Sequence, residues 1–450
     1  MTQIFVLNSA YGLMTAAAAM DTGAVPPSSG ERILVAVNAA MIPEAAAGIL
    51  GAPQLAPLRE RFDRIVDLNA LLDPERPPQW SLAPNAAPVL ERLLRQAWGI
   101  GDRAVELYVQ SPQVAPSRVF IDVFVGAPVS VVGDGLMTYS PIRDRWPDAT
   151  TRRVVGVVYA DVVPGVVPLL FPHATRRSVS PAALRAVVGR VARATTDPAV
   201  DVLAQLDRPA LVLGQYLSAL KLVSAEEERR MQCDMIDRAL AWSPGAIVFK
   251  PHPSAAPALI DDLAAHTAAR GVSFTVFRGG TPAEVLAVRL PFVGAVAGFS
   301  TALPTLQALT GLPIGAVGTD LLLQRLTPFE NGNRIPVTII DALTRPDSPY
   351  PGERMQQLVD AVGYVMQPVI AAHLRPRAEE FLGAAVAPER HRYFARSRLT
   401  TLGLPGGGSP GPLTRALGGR DGASRITEVQ LVLRGARRRA KRAWKALRGG

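Results

Sequence analysis

The fold is indicated by a short apolar run that ends in polar residues, Ser130-Val-Val-Gly-Asp134-Gly135, and by two later runs of the same kind. These are Ala246-Ile-Val-Phe-Lys250-Pro-His252-Pro253 and Gly294-Ala-Val-Ala-Gly-Phe-Ser300-Thr301. Short apolar runs separated by amphipathic stretches are typical of buried parallel strands in βαβ units. In open α/β sheets ligands bind beyond the carboxyl ends of the strands, so we expect these polar groups to face a ligand.

The pattern of apolar runs predicts two sets of strands joined by a helical connector at about 180–195. The first set is Gln3–Leu7, Ile33–Val37, Arg64–Leu68, Val105–Gln110, Val129–Val132 and Val154–Ala160. The second set is Ala210–Gln215, Ala246–Phe249, Ser273–Phe277, Phe292–Ala297, Ile314–Val317 and Val337–Ile340, followed by helical stretches at 352–367 and 368–384. We therefore expect an α/β fold with two Rossmann-like domains, 1–195 and 205–390, and a cleft between them.

The basic charge of the chain is concentrated at its C-terminal end. The formal net charge is +10, and thirteen basic residues follow from Arg396 onward against only Asp421 and Glu428. The remainder of the chain sums to about −1. Because the predicted domains are close to neutral, the charge does not indicate nucleic-acid binding by them.

The segment 396–450 is predicted to be a Gly/Pro-rich linker followed by a basic tail. Within it, 429–448 has the composition of a basic amphipathic helix that binds anionic membrane surfaces. A solvated tail is the alternative. The chain has one cysteine, no uninterrupted membrane-spanning run and no signal-peptide pattern, so we expect a cytoplasmic protein, peripheral at the membrane if the tail binds there.

Each polar motif has a chemical and a structural interpretation. His252 lies between two prolines that restrict its backbone, and near Lys250; such a histidine can donate to a phosphate and protonate a leaving oxygen. Ser300 and Thr301 precede a helical pattern, where hydroxyls bind anions or simply cap the helix. Asp134 lies between glycines that expose its carboxylate, which can act as a base, although Asp-Gly is also a common turn dipeptide.

Taken together, the three motifs resemble those of bacterial sialyltransferases, specifically the polysialyltransferase-like family. That family has an acidic-acidic-Gly motif, then His-Pro, then a Ser/Thr motif, matched here by Gly133-Asp134-Gly135, His252-Pro253 and Ser300-Thr301. The stretches 5–14 and 134–143 are also similar, and the resemblance covers roughly residues 1–390. The departure is Gly133, which stands where the family has its first acid.

The resemblance implies a GT-B glycosyltransferase that inverts the anomeric centre and uses neither a metal nor a separate cofactor. The donor would be a CMP-linked sialic (nonulosonic) acid, and the acceptor would be a glycan hydroxyl. Asp134 would be the general base, His252 would bind the donor phosphate and act as acid, and Ser300 with Thr301 would bind phosphate. The sequence has no Asp-x-Asp motif for a nucleotide-bound cation. The adjacent pair Asp261-Asp262 falls in a helical pattern.

Further candidates surround these motifs. The donor nucleotide is expected to contact Gly214 and Gln215, which follow a strand, and Glu284, whose carboxylate can accept from a ribose hydroxyl. On the acceptor side, the candidates are Asn8, Tyr11 and Arg143.

Two alternative functions remain open on the sequence. Lys-Pro-His-Pro also occurs in transferases of other surface polymers, with CMP-Kdo or CDP-glycerol as donor. The single carboxylate beside Gly133 favours instead a catalytically silent relative, which would bind nucleotide or glycan and be tethered to the membrane by its tail.

Overall fold

The computed structural model describes residues 1–40, 48–215, 217–219, 221–251 and 257–408. Its first half contains seven strands: β1 Thr2–Leu7, β2 Arg32–Ala36, β3 Arg64–Asp67, β4 Val105–Gln110, β5 Val129–Val132, β6 Val154–Ala160 and β7 Thr175–Val179. The second half contains β8 Pro209–Leu213, β9 Ala246–Lys250, β10 Ser273–Val276, β11 Gly294–Ala297 and β12 Ile314–Ala316.

The strands form two separate, wholly parallel sheets. The first has the order β3-β2-β1-β4-β5-β6-β7 and the second β10-β9-β8-β11-β12. In both, the first strand lies inside the sheet and the chain reverses its direction of winding beside it. Such a reversal leaves a crevice at the carboxyl ends of the two neighbouring strands, here β1 with β4 and β8 with β11.

Helices cover the sheets and connect the strands. Those of the first half are α1 Ala10–Asp21, α2 Ala56–Arg59, α3 Leu68–Leu72, α4 Ala87–Ala97, α5 Ser117–Val123, α6 Asp148–Arg152 and α7 Pro181–Ala194. The second half has α8 Pro198–Leu203, α9 Ala225–Leu240, α10 Pro257–Ala268, α11 Ala283–Arg289, α12 Ala302–Thr310, α13 Thr319–Arg325, α14 Arg334–Thr344, α15 Glu353–Met366, α16 Arg375–Ala384, α17 Ala387–Tyr393 and α18 Arg396–Leu402. Within the described residues, short 3₁₀ helices span Pro53–Leu55, Pro77–Gln79, Gly135–Tyr139 and Ala372–Leu374.

The helix α7 joins the two halves. Its N-terminus is capped by Ser180, whose side chain accepts from Ala183 N–H, and proline occupies its first turn. Its buried face, which includes Leu184 and Val188, packs against α1 of the first half and α11 of the second. The predicted connector at 180–195 is therefore confirmed, and it positions both sheets.

The predicted α/β fold with two Rossmann-like sheets is confirmed. One predicted strand is wrong, because Val337–Ile340 lies inside α14. Residues 334–342 are all buried, so this helix lacks the polar face that reveals a helical period, and a short buried apolar run then resembles a strand. The strand β7 was not predicted, since Thr-Arg-Arg-Ser-Val has the polar composition of an edge strand.

The chain beyond α17 continues as folded structure for a short distance. In α18, Leu399 and Leu402 are buried, and so is Leu404 after it. These residues belong to the segment 396–450 that the sequence assigned to a linker and tail. The predicted amphipathic helix at 429–448 lies outside the described residues.

Candidate functional site

Asp134 follows β5, and three polar contacts hold it. Its Oδ1 accepts from Gln110 Nε2 at 3.0 Å and its Oδ2 from Ser111 Oγ at 2.9 Å. Its backbone N–H donates to Thr138 Oγ1 at 2.8 Å. The residue remains partly exposed, and each carboxylate oxygen can accept a further hydrogen bond. The carboxylate is therefore oriented by the protein and still able to take a proton.

The residues that orient Asp134 were missed as site candidates. Gln110 is fully buried at the end of β4, and its amide also donates to Ser9 Oγ at 2.7 Å. Ser111 adopts a left-handed backbone with φ 51°, which is uncommon for a residue other than glycine and recurs at functional sites. The rule that singled out Asp134, a polar residue where a strand ends, applies equally to Gln110 and could have found it.

Gly133 stands where packing leaves little room for a side chain. A Cβ at this position would lie 2.9 Å from Thr138 Oγ1 and 3.2 Å from both Tyr159 Cβ and the Val158 carbonyl oxygen. Real Cβ atoms almost never approach a neighbour as closely as 2.9 Å. The space of a first acidic side chain is therefore taken by the threonine that fixes the Asp134 backbone.

Ser300 and Thr301 follow β11 and precede α12. Ser300 Oγ accepts from Ala302 N–H at 3.3 Å, so this hydroxyl caps the first turn. Thr301 is the N-cap residue by position, but its side chain makes no capping bond. One hydroxyl thus satisfies the helix while the other is available at a helix N-terminus, where N–H groups and the helix dipole favour an anion.

Gln215 holds the loop before Ser300. Its Oε1 accepts from Phe299 N–H at 2.7 Å, and its carbonyl oxygen accepts from Gln232 Nε2 at 3.1 Å. Gly298 makes this contact possible, because a Cβ there would lie 2.4 Å from Gln215 Oε1. The sequence predicted that Gln215 lines the nucleotide pocket; in the structure its side chain connects the ends of β8 and β11.

The two loops meet across the junction of the halves. A Cβ built on Gly135 would lie 3.4 Å from Thr301 Oγ1 and 3.6 Å from its Cβ. Gly135 has φ 52°, a left-handed conformation that suits glycine. The residue next to Asp134 therefore lies beside the hydroxyl that opens α12, so the structure brings the first and third motifs together.

Two ionisable side chains near these loops, Tyr11 and Glu284, have shifted pKa values. Burial raises the pKa of the Tyr11 hydroxyl, the nearby Thr305 hydroxyl opposes this, and the charges of Glu284 and Asp134 add to it. Burial also raises the pKa of the Glu284 carboxyl, and the charge of Lys250 opposes the rise. The Tyr11 hydroxyl therefore interacts electrostatically with Asp134 of the first half and with Glu284 of the second half.

Lys250 ends β9 and is turned toward the interior of its own half. Its Nζ donates to the Gly279 carbonyl oxygen at 2.9 Å and lies 4.8 Å from the centre of the Phe277 ring. Burial lowers the pKa of its ammonium group, and the charges of Glu284 and Asp197 act in the opposite direction. The neighbouring Gly214 N–H donates to the Lys250 carbonyl oxygen at 2.9 Å, which ties β8 to β9.

The remaining acceptor-side candidates, Asn8 and Arg143, have different neighbours. Asn8 N–H donates to Gln110 Oε1 at 3.0 Å, so Asn8 shares the amide that orients Asp134. Arg143 is exposed and lies against Gly332 of the second half, where a Cβ would approach its Nε to 3.0 Å. The Arg143 carbonyl oxygen accepts from Gln367 Nε2 at 3.3 Å. His252 and Pro253 lie outside the described residues.

The sequence model of a family described as alpha-2,8-polysialyltransferase matches residues 3–314. The chain belongs to this family. It is accordingly a glycosyltransferase, and the match includes all three motifs. Among proteins with curated descriptions, none matches the chain. In the part of the chain that the structure describes, no helix is long and apolar enough to cross a membrane.

Glycosyltransferases of low sequence identity are among the solved structures that are similar to this chain. A mutant O-GlcNAc transferase of Thermobaculum terrenum is 15% identical, with 86% of this chain and 69% of that chain covered and a TM-score of 0.35. A Siraitia grosvenorii UGT transferase in complex with UDP is 12% identical, with coverages of 86% and 96% and a TM-score of 0.37. The E. coli heptosyltransferase WaaC with ADP-2-deoxy-2-fluoro heptose is 16% identical, with coverages of 70% and 88% and a TM-score of 0.30.

Proposed function

We propose that this protein transfers a sialic (nonulosonic) acid from a CMP-linked donor to a glycan hydroxyl, with inversion and without a catalytic metal. The observation that carries the proposal is the close approach of Gly135 to Thr301. It sets an oriented carboxylate on one half against a helix N-terminus with an available hydroxyl on the other. One side suits an acceptor hydroxyl and the other a donor phosphate.

In the proposed reaction, Asp134 accepts the proton of the acceptor hydroxyl. The acceptor oxygen then forms a bond to the anomeric carbon of the sugar, and the bond from that carbon to the CMP phosphate oxygen breaks. The electron pair of the broken bond leaves with CMP. General-base assistance of this kind typically contributes about 10²- to 10⁴-fold to a rate.

On the donor side, the Thr301 hydroxyl and the positive end of the α12 dipole bind the phosphate, while Ser300 keeps the turn in place. His252 adds a donor group beside it. Glu284, at the start of α11, accepts from a ribose hydroxyl. A His252→Ala variant should therefore weaken both CMP binding and transfer.

A thermal-shift screen of CMP, CDP, UDP and GDP tests the donor class. A nucleotide that binds only the folded protein stabilises it by mass action, by about 2.7 kcal/mol at a hundred times its Kd. We expect a clear rise in Tm with CMP and smaller rises with the others. The proposed donor would be overturned if the protein preferred CDP and turned over CDP-glycerol but not CMP-sialic acid. Turnover of CMP-Kdo alone would keep the CMP donor class but overturn the proposed sugar.

The single carboxylate at Gly133-Asp134 also makes a catalytically silent protein a distinct outcome. In that case CMP would stabilise the protein as expected, but no transfer would be detected with any glycan acceptor. Binding and turnover must therefore be measured on the same preparation.

A further inference from the structure

A cavity of about 330 Å³ lies beside the segment that carries Asp134, and no part of the proposed reaction uses it. The loop after the 3₁₀ helix Gly135–Tyr139 supplies Ile142 and Trp146, and the stretch before β7 supplies Phe171. The segment after α15 closes the other side with Val369. The first and second halves of the chain thus both line this cavity, which we call the aromatic recess.

The recess is close to the candidate base along the chain. From Asp134 to Pro141, which also lines the recess, the backbone passes through the 3₁₀ helix and two extended residues, a span of at most about 18 Å. Leu169 N–H donates to the Tyr139 carbonyl oxygen at 3.3 Å, which ties a second wall to the same segment. An acceptor a few sugar residues long can therefore reach from one to the other.

The walls of the recess are mainly apolar and aromatic. Trp146 is 5% and Phe171 2% exposed, and their ring centres are 4.9 Å apart in an edge-to-face arrangement. The Arg118 guanidinium lies 4.5 Å above the Trp146 ring, which fixes that side chain from the other direction. Rigid rings of this kind form a preorganised surface for an apolar group.

The backbone of Phe171 is itself constrained. Its φ of 48° is a left-handed conformation, a genuine outlier for a bulky residue, which the surrounding structure must hold in place. Ala174 N–H donates to its carbonyl oxygen at 2.9 Å, and the Arg176 guanidinium donates to the same oxygen at 3.0 Å. The ring is thus held at the wall of the recess by contacts to its backbone.

Five polar residues also line the recess, Arg145, Asp148, Thr151, His173 and His373. Arg145 pairs with Asp148 at 3.6 Å, and His173 Nε2 is 3.0 Å from the Thr151 carbonyl oxygen. An apolar occupant leaves these pairs intact and packs against the rings and aliphatic side chains that make up most of the lining. The chemistry of the walls therefore selects an apolar group.

We propose that the aromatic recess binds an aglycone of the acceptor, an aryl or alkyl group joined to the reducing end of the glycan, while its non-reducing end lies at Asp134. This inference rests on the proposed function and names the acceptor class for it. The protein would then act best on glycans that carry an apolar group, and poorly on free oligosaccharides.

The test compares the phenyl and methyl glycosides of one sialic-acid-terminated lactoside as acceptors for the full chain. Burial of a phenyl ring should lower KM about tenfold relative to the methyl glycoside. Val369→Asp places a charge in the recess at a side chain that is already 36% exposed, so the fold should tolerate it. We expect this variant to lose the phenyl preference and to keep the methyl KM.

Val386→Asp is the matched control, since Val386 is 64% exposed and lies outside the recess. It should keep the phenyl preference. Equal KM values for the two glycosides in the unaltered protein, or equal losses for both in Val369→Asp, would overturn the proposal.

A binding measurement separates this proposal from the proposed function. Titration with the phenyl glycoside should change tryptophan emission saturably, the methyl glycoside should not, and Trp146→Phe, which keeps an aromatic wall, should abolish the change. If no transfer from CMP-sialic acid occurs but the titration behaves as expected, the binding role of the recess is supported and the proposed reaction is contradicted. If transfer occurs without the emission change, the recess assignment fails.

Discussion

The loop at Asp134 and the loop at Ser300 face each other, but they are built for different tasks. Gln110 and Ser111 hold the first through its side chain, since both donate to the carboxylate. Gln215 holds the second through its backbone, since it accepts from Phe299 N–H and leaves the Thr301 hydroxyl available. One loop therefore orients a carboxylate, and the other presents a hydroxyl at the N-terminus of α12, where the helix dipole favours an anion.

A glycine makes room for the holding group in each loop. Gly133 leaves space for Thr138, and Gly298 leaves space for the Gln215 amide. The departure from the family pattern at Gly133 is thus the counterpart of a glycine on the other loop. Gly133 fits a compact turn that supports one carboxylate. Substitutions in either loop test whether the two loops have these separate tasks.

Asp134→Asn should have the largest effect. The variant keeps an oxygen that accepts from Gln110 or Ser111 but loses the ability to take a proton, so turnover should fall about 10²- to 10⁴-fold. CMP binding, which belongs to the opposite loop, should be unchanged in a thermal-shift titration. Asp102→Asn, at an exposed carboxylate, serves as control. Unchanged turnover in Asp134→Asn would remove it as the base.

Gln215→Leu should act on the donor side instead. The buried Phe299 N–H would lose its acceptor, which typically costs about 1–3 kcal/mol, and the loop before Ser300 would shift. We expect KM for the donor to rise about tenfold with little change for the acceptor. Gln215→Glu retains an acceptor oxygen and should restore most of the affinity, whereas Gln96→Leu on an exposed helix face should have no effect. Equal effects on both substrates would mean that the two loops do not act separately.

The sequence predicted most strands of the two sheets because they are compact apolar runs, whereas the polar edge strand β7 was missed. It also predicted that the motifs of two domains would meet, and Gly135 does lie beside Thr301. The role of Gln110 was not predicted, because its partners Ser9 and Asp134 are distant in the chain. The helix α14 was mistaken for a strand because all its sides are buried.

Ser111→Ala should have a smaller effect than Asp134→Asn, and it should act on kcat. It removes one of the two donors to Asp134 while keeping a residue with a Cβ at a left-handed φ, so the backbone strain is unchanged. A hydrogen bond to a charged group contributes about 1.5–3 kcal/mol, and we expect kcat to fall about tenfold with the donor KM unchanged. Ser243 has φ 49° and is exposed, which makes Ser243→Ala a matched control. A loss confined to donor KM would assign Ser111 to the wrong loop.

Gly133→Ala should have the smallest effect on activity and a measurable effect on stability. Its Cβ would press on Thr138 Oγ1, and overpacking of this kind costs about 1–3 kcal/mol, equivalent to a fall in Tm of roughly 2–10 °C. Gly126→Ala is the control, because a Cβ there meets nothing within 4 Å. For the same steric reason, Gly133→Asp should lower Tm further and should not raise turnover. Higher turnover in Gly133→Asp would show that the loop accepts a second carboxylate, and that Asp134 is only part of the base this family uses.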